Sequence, residues 1–292
     1  MKKLASTLST FMVYIFFVYV LSFVAKYILH IQLVQSNLEH VYWVNIICDL
    51  VFIIFAIALN YKVLFKNTFD GDTVLSKILS FILKLIIIFL IFMVVKIGVA
   101  IVCSLISALF HLNPEANNQA MIEQIIKLHP IGMFVSVCVF APFMEELIFR
   151  GSIRKVVTND WLFVLISGLL FGLIHVLKFQ YLIIILLLAA VFINLIVISK
   201  LTKKRKIIST IIVCIGTFII ILLSLQLVSG NLIDVIKNIS MSETVNSLSY
   251  ITMGLCLAYI YKRYNNIYLC MGIHTLNNLF GYVVVIFTMI AK

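Results

Sequence analysis

The stretch VCVFAPFMEELIFR, Val137–Arg150, places two adjacent glutamates, Glu145 and Glu146, inside a hydrophobic run. A carboxylate in hydrocarbon is costly unless it is paired or used, so the pair marks a functional site by default. The rest of the chain supplies the hydrocarbon. Of 292 residues, 64% are hydrophobic and 11% are charged, a composition outside that of soluble globular domains. Runs of about 20 apolar residues suffice to cross a bilayer core of about 30 Å. They centre on 10–29, 43–65, 79–109, 131–149, 161–177, 181–199, 207–229, 249–261 and 267–290. The third is long enough to tilt or project and the eighth is short, so the expected fold is an all-α, polytopic transmembrane helix bundle of about 8–9 spans.

The short loops give the expected orientation, because Lys and Arg stay preferentially on the cytoplasmic side. Alternate loops carry them: Lys2 and Lys3; Lys62, Lys66 and Lys77; Arg150, Arg154 and Lys155; the cluster Lys200–Lys206; and Lys262 with Arg263. The intervening loops hold single residues such as Lys127, Lys178 and Lys237. That alternation supports nine spans with a cytoplasmic N-terminus. The net charge of +11 is therefore read as topology, with anionic lipid headgroups as the contact it favours and no nucleic-acid partner. Lys2 and Lys3 precede an apolar stretch too long for a cleaved signal peptide. The six cysteines lie at irregular intervals with no C-x-x-C pair, as expected of small hydrophobes.

Polar residues embedded in the spans are few. Asp49, Lys26, Lys84 and Lys96 stand alone, and snorkelling or a single structural hydrogen bond accounts for each. The others fall in three clusters. In Glu145-Glu146-x-x-x-Arg150, Glu146 and Arg150 share a helix face, while Glu145 points about 100° away. Arg150 can therefore hold Glu146 ionised, leaving Glu145 to face the bundle interior and exchange a proton. Pro142 cannot donate to the carbonyl of Cys138 and is expected to kink this helix. In the second cluster, Gly168, Gly172 and His175 lie along one face, with Phe171 four residues before His175. The glycines let a neighbouring helix approach where the imidazole points. The third, His274-Thr275-Leu276-Asn277-Asn278, puts His274 and Asn278 on one face, extended by Gly281.

Taken singly, each cluster also fits a structural role: a salt bridge at a helix end, an interfacial histidine bonded to a carbonyl, an interhelical hydrogen bond. Together, two histidines, two glutamates, an asparagine and an arginine from three spans exceed what structural hydrogen bonding requires, and a convergent site is the better account. Glu145 and His175 can polarise a water for attack on a peptide carbonyl. His274 and the Asn278 amide can donate to the resulting oxyanion. Alternatively, Glu145, His175 and His274 can ligate zinc, which would activate its bound water; no cofactor is required by the pattern, and zinc is compatible with it. The sequence lacks H-E-x-x-H, G-x-G-D and a rhomboid-type G-x-S-G, which disfavours the corresponding intramembrane protease designs.

The three motifs resemble those of the CAAX protease and bacteriocin-processing (CPBP, Abi) family of intramembrane proteases, which includes the Ras-converting prenyl-protein proteases. The family's E-E-x-x-x-R is matched by Glu145, Glu146 and Arg150, its F-x-x-x-H by Phe171 and His175, and its H-x-x-x-N by His274 and Asn278. The resemblance implies that Glu145 is the catalytic base, His175 its partner, and His274 with Asn278 the water or oxyanion site, with Glu146, Arg150 and Phe171 in support. It leaves open a metalloprotease or a glutamate protease, with no obligatory metal preferred.

This divides the chain into N-terminal helices without a catalytic motif, 1–124, and a family-like catalytic core, 125–292. The core carries an inserted helical hairpin at 181–229. The implied function is endopeptidase cleavage of a peptide or membrane-protein substrate, in bacteriocin or peptide maturation or in self-immunity. A non-enzymatic membrane scaffold on the same fold is the alternative. A proton-relay transporter would show paired repeats and broken helices in both halves, which the sequence lacks. The Lys-, Ile- and Asn-rich usage points to a bacterial plasma membrane. One tension concerns depth. If the fifth span starts near Trp161, His175 lies about 21 Å along it, whereas Glu145 is expected only a turn or two from the end of the fourth. The pairing stands only if the two side chains come within reach of one bridging water.

Overall fold

The computed structural model describes residues 38–66, 71–112, 117–176 and 241–291. Every regular element among them is helical. In chain order they are α1, Leu38–Leu64; α2, Val74–Leu109; α3, Asn117–Leu128; α4, Pro130–Val156; α5, Asp160–Val176; α6, Met241–Tyr264; and α7, Ile267–Ile290. Three of them, α2, α4 and α7, are long and apolar enough to cross a membrane. Shorter apolar stretches run through α1 and α5, at Asp49–Ala58 and Asp160–Gly172. The runs expected at 10–29, 181–199 and 207–229, and with them the inserted hairpin, lie outside the described residues.

Local sequence sets the helix ends. Thr73 opens α2 with a capping box: its hydroxyl accepts from the Ser76 N–H, and the Ser76 hydroxyl accepts from the Thr73 N–H. This satisfies donors that the first helical turn leaves unpaired. The Asn159 side chain accepts from the Leu162 N–H at the start of α5. Between α6 and α7, Asn265 takes the left-handed conformation with φ of 48° and Asn266 caps α7 by accepting from the Leu269 N–H. Asn is among the few non-glycine residues that tolerate that backbone. This tight turn fixes where α7, and hence His274, begins.

Helix α4 departs most from regularity, and the reason is visible in its sequence. Ser136–Phe140 and Leu147–Ser152 are π-helical, a widening that recurs at functional sites. In the first of these turns the Ala141 N–H reaches back to the Ser136 carbonyl. The carbonyl of Val137 would then need the N–H of residue 142, which is Pro142 and has none. The expected disruption at Pro142 takes the form of this widened turn, and the orphaned Val137 carbonyl accepts from the Asn278 side chain of α7 at 2.8 Å. In the second widened stretch the Phe149 carbonyl accepts from the Ser167 hydroxyl of α5 at 2.9 Å.

The apolar run read at 131–149 also stops short of the helix it belongs to. Leu147–Ser152 is buried throughout, Arg150 included, and α4 continues to Val156. Arg150 does not end the span because its charge is met inside the bundle. Around it, Leu147, Phe149, Phe163, Phe171, Leu257 and Ile273 form a core shared by α4, α5, α6 and α7. Helices α5 and α6 pack along each other through glycine. A Cβ on Gly172 would lie 2.6 Å from the Ile251 Cα, and one on Gly168 would lie 2.8 Å from the Leu255 Cα. Close backbone approach of this kind is how helices associate where the hydrophobic effect supplies no drive. At the far end of α4, the buried Asn60 of α1 accepts from Ser152 Oγ at 3.3 Å and Lys155 Nζ at 2.7 Å.

Candidate functional site

Glu146 and Arg150, one turn apart on α4, are fully buried, with Arg150 Nε 3.0 Å from Glu146 Oε2. Arg150 Nη2 also donates to the Gly254 carbonyl of α6 at 3.0 Å, and its guanidinium lies 4.9 Å from the centre of the Phe171 ring. The other oxygen of Glu146 accepts from His274 Nδ1 at 2.9 Å. Three charged or polar side chains from α4 and α7 thus form a closed arrangement in which a buried carboxylate meets a cation and a ring N–H. A buried charge is tolerable when it is both paired and hydrogen-bonded.

Glu145 faces the other way. Its Oε2 lies 3.6 Å from His175 Nε2 and 3.9 Å from His274 Nε2, and it has no hydrogen-bond partner among the described residues. The tautomers of the two rings follow from their partners. His175 Nδ1 lies 2.7 Å from the Phe171 carbonyl, to which a ring nitrogen can only donate. His274 Nδ1 is likewise committed to the Glu146 carboxylate. A neutral imidazole at either position therefore presents an Nε2 lone pair toward Glu145. The separations are too long for direct hydrogen bonds and short enough for one bridging water.

The expected mismatch in depth between Glu145 and His175 is absent because α4 is longer than its apolar run. Val156 lies eleven residues beyond Glu145, about 16 Å along the helix, and His175 lies fifteen residues beyond Asp160, about 22 Å. A three-residue turn joins the two helices, closed by Arg154, which pairs with Asp160 and donates to the carbonyls of Val157 and Thr158. Both residues are thus several turns from that junction, and their side chains meet.

The three polar clusters of the sequence converge on one cavity of about 420 Å³, lined by Glu145, His175, His274 and Asn278 among others. Phe171 is the wedge that positions them. Its buried ring meets His175 at 4.6 Å, His274 at 5.6 Å and Phe149 at 5.4 Å between centroids. Gly281 lines the same cavity, and a Cβ there would meet no atom of the described residues within 4 Å.

The cavity lining also includes residues that the sequence reading does not assign to the site, among them Tyr250, Lys96 and Ser136. Tyr250 of α6 stacks on His175 with centroids 4.9 Å apart and 14° between planes; an aromatic in an apolar run carries no spacing signal. Lys96 of α2, for which the sequence suggests snorkelling or a single structural hydrogen bond, lines the cavity and donates to Asn277 Oδ1 at 2.6 Å. Ser136 also lines it and donates to Asp49 Oδ2 at 2.8 Å, so Asp49 does have a single hydrogen bond, directed at the widened turn of α4.

Among the described residues, no group of three or more His, Cys, Asp or Glu side chains is disposed to hold a metal ion. Tetrahedral zinc with bonds of about 2.0–2.1 Å would bring its donor atoms to about 3.3 Å from one another. Glu145 Oε2 is farther than that from both Nε2 atoms.

Comparison with curated proteins and with solved structures returned no match. The family model for type II CAAX prenyl endopeptidase Rce1-like proteins matches residues 127–214 and 191–280. The first stretch contains Glu145, Glu146, Arg150, Phe171 and His175, and the second contains His274 and Asn278. The two together span more than half of the chain. The chain is a membrane-embedded member of the type II CAAX prenyl endopeptidase Rce1-like family.

Proposed function

We propose that this protein is an intramembrane endopeptidase in which Glu145 and His175 activate water against a peptide bond. The observation that carries the reading is the convergence of two Nε2 atoms on one unpartnered carboxylate oxygen, at 3.6 and 3.9 Å, inside a cavity large enough for an extended segment of peptide. Water donates one hydrogen to Glu145 and the other to the Nε2 of His175 or His274. Its oxygen attacks the carbonyl carbon as the first O–H bond breaks, leaving that proton on Glu145. The oxyanion accepts from Asn278, whose amide has a second N–H not used by any described residue. As the C–N bond breaks, Glu145 returns the proton to the leaving nitrogen, giving a carboxylic acid and an amine; the acid then passes its remaining proton to the amine, and the products leave as a carboxylate and an ammonium. Glu146 and Arg150 take no part in bond making; they hold His274 in orientation.

The donor distances support a route without an obligatory metal. The substrate class proposed is a peptide or membrane protein of a bacterial plasma membrane, as in bacteriocin or peptide maturation or self-immunity. Residues 1–124 act as supporting helices, and the whole chain crosses the membrane eight or nine times from a cytoplasmic N-terminus. Comparing the membrane peptidomes of Glu145→Gln and His175→Ala cells with wild type tests the reaction: both variants should lose the same cleavage product. Normal cellular function in both variants, at wild-type protein levels, would point to a scaffold instead. Elemental analysis of the purified, active protein tests the metal.

A further inference from the structure

Lys96 lies in the middle of α2, a helix that contributes no motif. Its neighbours Val94 and Ile97 face outward, 71% and 55% exposed, whereas Lys96 lines the cavity. A cation at that depth is costly and marks a functional position unless something else explains it. Among the described residues its hydrogen bond goes to a neutral amide. Lys96 Nζ donates to Asn277 Oδ1 at 2.6 Å, Asn277 Nδ2 donates to Asn278 Oδ1 at 3.0 Å, and Asn278 Nδ2 donates to the Val137 carbonyl at 2.8 Å. Asn277 Nδ2 also lies 3.5 Å from Met253 Sδ.

This chain has a direction. An ammonium only donates, so Asn277 must turn its oxygen to Lys96 and its NH₂ toward Asn278. Asn278 must then present its own oxygen to Asn277, leaving its NH₂ for the orphaned Val137 carbonyl and for the cavity. A donor-only head and an acceptor-only tail thus fix both carboxamides in one of their two orientations. The charge at the head polarises each bond in turn, because successive hydrogen bonds in a low-dielectric interior strengthen one another.

We infer that Lys96 is a positioning residue of the hydrolytic site: through Asn277 it fixes and polarises the Asn278 carboxamide, whose remaining N–H serves the oxyanion. The inference rests on the hydrolytic reading above and adds a residue from outside the family's motifs to it. Since the oxyanion exists only as the reaction proceeds, the relay acts on turnover more than on substrate binding.

Two readouts on the full chain in lipid nanodiscs test it. In protein labelled with ¹⁵N-asparagine, Lys96→Met should displace the side-chain amide signals of both Asn277 and Asn278, and Lys96→Arg should return them toward wild type. In the second readout, a synthetic peptide spans the cleavage site that is lost in Glu145→Gln. On it, Lys96→Met should lower kcat about tenfold or more with KM changed by less than about twofold, the split expected when an oxyanion donor is misaligned. Asn277→Asp should do the same by a second route, since its carboxylate keeps a partner for Lys96 but cannot donate to Asn278. An unmoved Asn278 amide signal in Lys96→Met, or kcat at the wild-type level while Glu145→Gln is inactive, overturns the inference and leaves the hydrolytic reading intact. Cleavage that does not depend on Glu145 overturns the hydrolytic reading, and the role of the polarised N–H falls with it.

Discussion

Glu145 and Glu146 are neighbours in sequence and opposites in environment. On one side of α4, Glu146 is enclosed by Arg150 and His274, all at most 2% exposed, in a network whose carboxylate oxygens each meet a cation or a ring N–H. On the other side, Glu145 is 21% exposed, lines a cavity, and its Oε2 reaches no hydrogen-bond donor among the described residues. One helical step of about 100° separates them. The difference teaches how a membrane protein uses carboxylates: one paired with a buried cation holds geometry, and one without such a cation beside a cavity is available for reaction. His274 belongs to both sides, Nδ1 to the closed network and Nε2 to the open site, so the closed side can orient the open one.

The most disruptive way to break this contrast is Arg150→Met, which leaves Glu146 buried without its cation. Such a change should cost about 3–5 kcal/mol of stability, read as a lower unfolding midpoint in nanodiscs. Combining it with Glu146→Gln should recover much of that loss, and failure to recover would show that Arg150 stabilises the bundle through something other than the closed network. Next comes Glu145→Gln, expected to reduce cleavage by about 10²–10⁴-fold while the unfolding midpoint stays within error of wild type. A stability loss as large as that of Arg150→Met would erase the distinction between the two glutamates.

Smaller effects sharpen the comparison at the glycines. Gly172→Ala pushes α5 from α6 beneath His175 and should cost about 1–3 kcal/mol as overpacking does, with cleavage reduced as His175 shifts from Glu145. Gly281→Ala, with no atom of the described residues within 4 Å of the new methyl, should change stability by less than about 0.5 kcal/mol. A large effect there would mean that the cavity wall at Gly281 is packed in the working protein.

Much of the site was legible because polar residues in hydrocarbon are few and each demands a reason. The spacing of Glu146 and Arg150 on one face, the glycine face leading to His175 and the pairing of His274 with Asn278 on α7 all follow from helical periodicity. The roles within the site were less legible. His274 and Asn278 read as twin donors to an oxyanion, yet the Nδ1–H of His274 is taken by Glu146, and one Asn278 N–H by Val137. The end of α4 was misread for a related reason: Arg150 looks like a loop residue in sequence and is an interior one because Glu146, Phe171 and the Gly254 carbonyl surround it. Lys96 and Tyr250 were invisible as site residues because no motif or spacing links Lys96 to Asn277, 181 positions away, or Tyr250 to the ring of His175 on another helix.

By itself, then, the sequence determined that this is a helical membrane protein, that Glu146 and Arg150 share a helix face, and that the polar motif residues lie on three helices. Hydropathy and the 3.6-residue period are local properties, and they suffice for those conclusions. Only the tertiary structure decided how the helices align in depth, that Pro142 leaves a carbonyl for Asn278 to satisfy, and that a lysine from α2 completes the chain behind it. Those outcomes depend on which donors and acceptors remain unpaired once the helices pack, and on contacts between residues that no periodicity connects.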